Sequence, residues 1–529
     1  MSNGYEPIKT TKPSEIILDP NYRSRFLRLT EKQQYRILEM IPGILVWSTF
    51  IGAITLSITQ PLWAIYFIII FDLLWLIRIL YLLVHMAYSW FKLHKNIDVN
   101  WYEKLKKEKL GYENYYHLVM YPTAGESLEV LDNTFKSLTN NNYNLDKVIV
   151  VLAGEERNEK VFKTYADELV RKYGDKFHKV LVTIHPDAVP GELQGKSANT
   201  NYAGRQAKKY IDEQGIDYNH VIVSAFDCDT LMHDQYLAYL TYTYLSQPDP
   251  TRASYQPVAI FNNNIWESSL FIRTFVNSTT FWLLTDLSRP ERLFTFSSHS
   301  MSFKALVDVN FWQKDIVSED SRIFLQCFCK YDGDYKVVPM HIPVYMSTVW
   351  AGKFWPAMKS QYKQIRRWAW GVENFPYQAW YYLKIKNLPK LKGFSYLWNQ
   401  LEGVYSWATA PIIIFIMGRL PLHIIEGEAK MSVIAQNAPF VLEKLMAFAM
   451  IGLFLNAVLS TMLMPKRPKT VSPWKWIIIP IQWIVWPVMM LVFGSFPATD
   501  ALTRMMLGKY LGFYLAPKDA QQKTHSANT

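Results

Sequence analysis

The chain has 529 residues but only three cysteines, Cys228, Cys327 and Cys329. An odd and sparse set excludes a disulfide framework, and the lack of a second closely spaced pair argues against a zinc site. Three reduced thiols fit a cytoplasmic environment. The chain also lacks an early apolar run, because about forty mostly polar residues come first. We therefore expect no cleavable signal peptide.

Long apolar runs are present instead and alternate with ordinary polar sequence. Half of the residues are apolar and 15% are aromatic, which is typical of a membrane protein with a sizeable aqueous domain. The net charge of +11 is not gathered in one basic arm, so we expect no nucleic-acid partner. Cations beside apolar runs fit membrane lipids of the cytoplasmic leaflet, and a phosphorylated substrate would be a further reason for them.

Five apolar segments are candidates for membrane spans because each approaches the length that crosses hydrocarbon. They are residues 41–59, 62–85, 396–417, 439–464 and 474–496. The predicted division of the chain is a polar arm (1–40), two transmembrane helices (41–85), an α/β domain (86–345), interfacial helices (346–395), a second transmembrane region (396–496) and a tail (497–529).

The side of the membrane is predicted from charge. A loop at 86–111 contains six lysines, which places the central domain in the cytoplasm and makes the chain a multi-pass protein of the plasma membrane. Segment 474–496 contains Pro480 and Pro487, so a broken or re-entrant element is expected there. Inside the second run, Arg78 is expected to extend toward the interface, whereas Asp72 is either a structural partner or a lining residue.

The central region shows four apolar runs that are typical of buried strands, at 117–122, 147–153, 179–184 and 220–227. Helical segments separate them, including one predicted from Ser197 to about Gln214 and one carrying Glu155 to Tyr173, so a mostly parallel α/β sheet is expected. Ligands of such sheets bind at the carboxyl ends of the strands. The acidic residues expected at that edge are Glu126, Glu155, Asp227 and Asp229.

Asp227-Cys228-Asp229 ends the fourth run. Mg²⁺ and Mn²⁺ prefer oxygen ligands and bind readily to one or two carboxylates together with substrate phosphates. The triplet therefore offers one carboxylate to a metal ion and another to a sugar or ribose. The ordinary alternative is an acidic loop that caps a helix.

Glu319-Asp320 precedes an apolar helical pattern. A general base must lie close to the hydroxyl that it deprotonates, and this motif offers a carboxylate for that role. Acidic residues also suit the dipole at a helix N-terminus, and both interpretations can hold at once.

Gln364-Ile365-Arg366-Arg367-Trp368 is the third motif. Arginine offers a bidentate fork to phosphate oxygens, and tryptophan offers an apolar face to a sugar ring. The alternative is a basic amphipathic helix on lipid headgroups.

The order DCD, SED, QIRRW resembles the inverting, membrane-integrated family 2 glycosyltransferases, which include cellulose, chitin and hyaluronan synthases. The resemblance implies a GT-A (Rossmann-like) α/β domain between N- and C-terminal transmembrane helices, a nucleotide-sugar donor, a glycan or lipid-linked acceptor, and Mg²⁺ or Mn²⁺. Residues 513–518 (FYLAPK) loosely resemble a gating loop of cellulose synthases. The roles implied are Asp320 as catalytic base; Glu126, Glu155, Lys196, Asp227, Gln364 and Arg367 as donor-binding; Glu319, Trp368 and His299 as acceptor-binding; and Asp229 as metal ligand.

Several functions remain open from the sequence. A polysaccharide synthase is favoured, and a non-processive enzyme that glycosylates a lipid is the main alternative, with a homo-oligomer or an export partner as further components. For Lys196 and His299, an exposed lysine at a helix start and a structural histidine are the ordinary alternatives. A non-catalytic scaffold conflicts with the complete acidic set, and a transporter using Asp72 and Glu402 leaves the α/β domain unexplained.

Overall fold

The structure, a computed structural model, describes residues 29–109, 111–350, 352–469, 471–512 and 514. An α/β sheet domain lies between N-terminal and C-terminal sets of long apolar helices. This is the architecture that the sequence predicts, although several boundaries differ.

The first of these differences is at the N-terminus. The Thr30 hydroxyl accepts a hydrogen bond from Gln33 N (3.3 Å), and Gln33 Oε1 accepts one from Thr30 N (2.9 Å), so a capping box starts a helix within the predicted polar arm. The next helix continues through most of the predicted lysine loop, because Met86, Ser89 and Leu93 are buried at helical spacing. The N-terminal helices are α1 (Glu31–Thr59), α2 (Pro61–Ile97) and α3 (Trp101–Glu108).

The sheet has eight strands in the part of the chain that the structure describes. The four predicted strands are present within one or two residues of their expected bounds and pair in parallel in the order 3-2-1-4. The strands are β1 (Tyr116–Pro122), β2 (Val148–Glu155), β3 (Lys179–His185), β4 (Val221–Ala225), β5 (Leu231–Met232), β6 (Ala253–Phe261), β7 (His299–Ser302) and β8 (Lys336–Met346).

The other half of the sheet is mixed rather than parallel. β7 is antiparallel to both β4 and β6, β6 is parallel to β8, and β5 is antiparallel to β8. The core consists of strands that are buried along their whole length, with β2, β4 and β6 covered at every position. The helices of this domain are α4 (Leu128–Thr139), α5 (Glu159–Tyr173), α6 (Lys196–Glu213), α7 (Tyr236–Leu245), α8 (Leu270–Leu287), α9 (Phe303–Asp308) and α10 (Glu319–Lys330).

The C-terminal helices include the predicted broken segment. Between residues 475 and 506 the chain changes from α-helix to a 3₁₀ turn (Gln482–Val485) and a π-helical turn (Met490–Ser495), near the two prolines that remove backbone donors. The segment does not end at 496 but continues as a helix to Met506. The helices are α11 (Phe354–Ala369), α12 (Asn374–Lys384), α13 (Lys390–Phe415), α14 (Leu420–Ile424), α15 (Gly427–Lys430), α16 (Val433–Met462), α17 (Lys475–Ile481), α18 (Trp486–Met489) and α19 (Phe496–Met506).

Four helices among the described residues are long and apolar enough to cross a membrane, and a fifth candidate is α13 with the following helix, which are bent by 41°. Within these helices, Arg78 of α2 is ion-paired with Glu402 of α13. Asp72 Oδ1 is buried without a hydrogen-bond partner among the described residues.

Close contact between α1 and α19 depends on Gly43. A Cβ atom at this position would lie 2.6 Å from Met506 Cβ and 2.8 Å from the Leu502 carbonyl oxygen. We expect Gly43→Ala to lower the free energy of unfolding by about 1–3 kcal/mol, because one helix must move. Thermal unfolding of the purified protein in detergent measures the change.

Gly52→Ala on the same helix is the matched control, because a Cβ there meets nothing within 4 Å. Alanine has the higher helix propensity, so this variant should be as stable as the parent or more so. Equal unfolding temperatures for the two variants would contradict the close approach.

Candidate active site

One cavity of about 180 Å³ lies at the carboxyl edge of the first sheet half. It is bounded by the ends of β1 and β2, the turn after β4, the start of α10 and one face of α11. Most of the site residues predicted from the sequence line it. They are Glu126, Glu155, Lys196, Asp227, Asp320, Gln364, Arg367 and Trp368.

Lys196 is the first residue of α6 and is the electrostatic centre of the cavity. Its Nζ lies 2.8 Å from Asp227 Oδ1, 2.9 Å from Asp320 Oδ1 and 3.2 Å from Glu319 Oε1. Only 12% of its side chain is exposed, so the alternative of an exposed helix-start lysine is wrong. Burial would lower the pKa of Lys196, but the three carboxylates raise it well above its ordinary value.

The Asp-Cys-Asp triplet leaves the sheet directly after β4. Asp227 is half-buried, and its Oδ2 accepts a hydrogen bond from the Ser297 hydroxyl at 2.8 Å. Asp229 is almost fully buried behind the cavity wall, where its Oδ2 accepts a hydrogen bond from Ser347 N at 2.9 Å. Ser347 itself lines the cavity, so the two carboxylates of the triplet differ in access.

Two further carboxylates line the cavity, Glu126 in the turn after β1 and Glu155 at the end of β2. Glu126 accepts a hydrogen bond from Ala124 N at 2.8 Å. Glu155 belongs to β2 rather than to the following helix, and Arg157 Nε lies 2.6 Å from its Oε2. Glu155 Oε1 is buried and has no hydrogen-bond partner among the described residues. Burial raises the pKa of Glu155, although Arg157 opposes the shift.

Glu319 and Asp320 form the first turn of α10 but face different surroundings. Asp320 lines the cavity and receives Lys196 Nζ on both oxygens, at 2.9 and 3.0 Å. Glu319 is 2% exposed and does not reach the cavity. Burial and the neighbouring Asp320 raise the pKa of Glu319, and Lys196 opposes the shift.

The turn before α10 is held by a residue that the sequence analysis did not identify. Glu373 Oε1 accepts hydrogen bonds from Val317 N (3.1 Å), Ser318 N (2.9 Å) and the Ser318 hydroxyl (2.7 Å). Glu373 follows α11, so one carboxylate ties the start of α10 to the helix that carries the QIRRW motif. Burial raises the pKa of Glu373, whereas Arg322 lowers it.

The QIRRW motif divides between the two faces of α11. Gln364, Arg367 and Trp368 line the cavity, as helical spacing dictates for positions three and four apart. Trp368 lies beside two phenylalanine rings of the cavity wall, Phe261 at 5.9 Å and Phe296 at 6.2 Å between ring centroids. The remaining charged residue points away from the cavity: Arg366 Nη1 lies 2.8 Å from Asp500 Oδ2 on α19.

The resemblance implies that His299 binds the acceptor, but His299 does not line the cavity. It is the first residue of β7 and has no exposed surface. Its Nδ1 lies 3.1 Å from the Phe296 carbonyl oxygen, and burial lowers the pKa of its ring. This placement favours the structural alternative, because β7 inserts between β4 and β6.

Other cavity residues carry too weak a sequence signal for prediction. Asn199 donates to the carbonyl oxygens of Ala153 (2.9 Å) and Thr123 (3.4 Å) and so ties α6 to the ends of β1 and β2. Tyr514 reaches the cavity wall and bonds the Ser360 hydroxyl at 3.0 Å. Apart from Tyr514, residues 513–518 lie outside the described part of the chain.

Removal of the central cation should expose the repulsion between the acids. We expect Lys196→Met to lower the free energy of unfolding by on the order of 3 kcal/mol at pH 8, because buried carboxylates lose their partner. The pKa of Glu319 is already higher in the folded chain than unfolded, so the folded state binds more protons, and the loss should shrink as the pH falls. Unfolding temperatures at pH 8 and pH 5.5 measure both effects.

Lys208→Met is the control, because Lys208 lies on the same helix and pairs with Asp212 at 2.7 Å at the surface. Its loss should stay within about 0.5 kcal/mol at either pH. A pH-independent loss in Lys196→Met would contradict the clustering of acids around that residue.

Comparison with known proteins identifies the family of the chain. Residues 222–496, more than half of the chain, match the family model described as Glycosyl transferase family group 2. No curated protein matches the chain in sequence.

Solved structures with some similarity include the mannosyltransferase PcManGT from Pyrobaculum calidifontis in complex with GDP-Man and Mn²⁺, at 14% identity, over 79% of this chain and 99% of that chain, with a TM-score of 0.42. Another is S. aureus TarS 1–349 in complex with UDP-GlcNAc, at 13% identity, over 66% and 91%, with a TM-score of 0.34.

The assignment rests on the family match and agrees with the order of the three motifs around one cavity. It confirms the enzyme class and the GT-A type of α/β domain expected from the sequence. The chain belongs to glycosyl transferase family group 2.

Proposed function

We propose that the enzyme transfers a sugar, with inversion, from a nucleotide-sugar donor to a growing polysaccharide at the cytoplasmic face of the membrane. The observation that carries the proposal is the convergence on one lysine of Asp227, from the donor edge of the sheet, and Asp320, from the first turn of α10. Donor and base residues are thereby brought within hydrogen-bond reach of one point.

The donor is assigned to the side of the cavity formed by β1, β2 and the turn after β4. Glu155 Oε1 and Glu126 offer acceptors to the base or ribose of a nucleotide. Lys196 and Arg367 offer cations to the pyrophosphate. These two cations stabilise the negative charge that develops on the leaving group.

Asp320 is assigned as the catalytic base. It accepts the proton of an acceptor hydroxyl as that oxygen bonds to the anomeric carbon of the donor. The bond from the anomeric carbon to the phosphate oxygen breaks, and the nucleoside diphosphate leaves with the electron pair. A single displacement inverts the anomeric configuration, so an α-linked donor gives a β-glycoside.

The residues present fit a divalent metal ion. The donor set consists of oxygens, which suits Mg²⁺ or Mn²⁺, and three carboxylates share the single lysine cation. No three metal-binding side chains converge within the described residues, so phosphate oxygens would have to complete the coordination. Asp229, with Asp227 beside it, would hold the ion. Bound there, it would supply charge neutralisation to the departing diphosphate.

The acceptor is assigned to the aromatic side of the cavity. Trp368, Phe261 and Phe296 offer ring faces, which suit the apolar faces of sugar rings. The cytoplasmic side is supported by the lysines at the end of α2 and on α3, beside the membrane helices.

The first test is the release of nucleoside diphosphate by the purified full-length protein in detergent. UDP-glucose, UDP-N-acetylglucosamine, UDP-glucuronate and GDP-mannose are compared with Mg²⁺, with Mn²⁺ and with chelator. We expect one donor to be used with metal, and Asp320→Asn to reduce turnover by about 10²–10⁴-fold, with folding of the variant checked by thermal unfolding. Product size then separates a polysaccharide from a single glycosylation of a lipid. No release from any donor, with membrane lipid extract added, would contradict the proposal.

The two arginines of α11 provide a matched pair. Arg367→Ala removes a cation from the cavity and should lower turnover by about 10²-fold. Arg366→Ala breaks the pair with Asp500 and should lower the unfolding temperature while retaining most of the turnover. Equal activity losses at equal stability would contradict the assignment of Arg367.

A further inference from the structure

A line of aromatic rings leads from the cavity to the surface. Trp368 and Phe296 both line the cavity, with 6.2 Å between their ring centroids. Beyond Phe296 lies Trp282 of α8, at a centroid distance of 5.8 Å and an interplanar angle of 68°. Trp282 does not line the cavity itself. Its ring lies one aromatic contact beyond Phe296 and is exposed at the surface.

Trp282 is the only exposed position of α8, which the structure describes from end to end. Its side chain is 51% exposed, whereas every other residue of this helix is buried or half-buried. A large aromatic side chain at the single open position of a covered helix presents its ring to a ligand or to lipid.

The neighbours of Trp282 on the same face of α8 are polar. Ser278 and Thr279 precede it by four and three residues, the spacing that places side chains on one helix face. Both hydroxyls donate back to the Phe275 carbonyl oxygen, at 2.6 and 3.4 Å, and therefore keep lone pairs for an outside donor.

We propose that Trp282, with Ser278 and Thr279, forms a second acceptor subsite that binds the sugar ring next to the one being extended. The inference rests on the proposed function and names its acceptor class, a saccharide of at least two rings. Trp368 contacts the terminal ring, and Trp282 stacks on the penultimate ring after the glycan passes Phe296. The hydroxyl pair hydrogen-bonds the hydroxyl groups of that ring.

The test compares acceptors of different length on the full-length enzyme in lipid nanodiscs. The probes are the methyl β-glycoside, the β-linked disaccharide and the β-linked tetrasaccharide of the sugar that the donor screen identifies. We expect Trp282→Ala to raise KM for the disaccharide and tetrasaccharide about tenfold, which corresponds to about 1.4 kcal/mol. KM for the monosaccharide glycoside and for the donor should stay unchanged, and Trp282→Phe should restore most of the difference.

Trp398→Ala is the matched control. Trp398 lies on α13, is 57% exposed and is stacked on Phe394 at 6.5 Å, but it does not line the cavity. This variant should leave all KM values unchanged, with both variants checked by thermal unfolding.

The outcomes are distinguishable. A wild-type enzyme that releases no nucleoside diphosphate from any donor refutes the proposed function itself. A working enzyme whose KM values are unchanged in Trp282→Ala, or raised equally for all acceptor lengths, refutes the subsite alone. An effect shared by Trp398→Ala shows that Trp282 acts as a membrane anchor and likewise overturns the subsite.

Discussion

The site depends on one buried cation shared by three acids. Lys196 starts α6, Asp227 follows β4, and Glu319 and Asp320 start α10, so the ion pairs draw together three segments that are distant in the chain. Unpaired, these carboxylates would repel one another in a poorly hydrated place. The single positive charge of Lys196 against three carboxylates leaves this cluster short of cation, and a divalent metal ion would meet that shortage. The same electrostatic imbalance thus fixes the local fold and defines the chemistry that the cavity can accept.

Local patterns determined the first half of the sheet and left the second half open. The runs of β1 to β4 are continuous, apolar and bounded by polar turns, so the sequence predicts these strands, their parallel pairing and their active edge. β7 consists of His299, Ser300, Met301 and Ser302, and it becomes a strand only because β4 and β6 pair with it on both sides. No local signal distinguishes such a segment from a loop, which is why His299 was expected at the cavity. Likewise α1 begins at the capping box around Thr30, and the apolar run alone does not reveal that start.

The motif residues of the cavity were predictable because the chemistry demands their types: carboxylates for a proton and a cation, arginine for phosphate, tryptophan for a sugar ring. The residues that position them were not. Glu373 holds the backbone of Val317 and Ser318, and Asn199 bonds to two strand ends. These contacts join residues remote in sequence, and a buried glutamate beside an aromatic helix looks the same in sequence as an exposed one. Periodicity gave the face of α11 but not the partner of Arg366.

Asp500, the partner of Arg366, connects the helix that lines the cavity with the apolar C-terminal helices. Asp500 lies on α19, the continuation of the broken apolar helix, and it holds the residue next to Arg367. α19 in turn packs closely against α1 at Gly43, where Met506 Cβ and the Leu502 carbonyl oxygen leave no room for a side chain on α1. A change in bilayer thickness tilts apolar helices, and a tilt of α19 would reach α11, the helix that carries the proposed diphosphate-binding arginine, through the Arg366–Asp500 ion pair. The lipid around the apolar helices would then bear on the geometry of the proposed site.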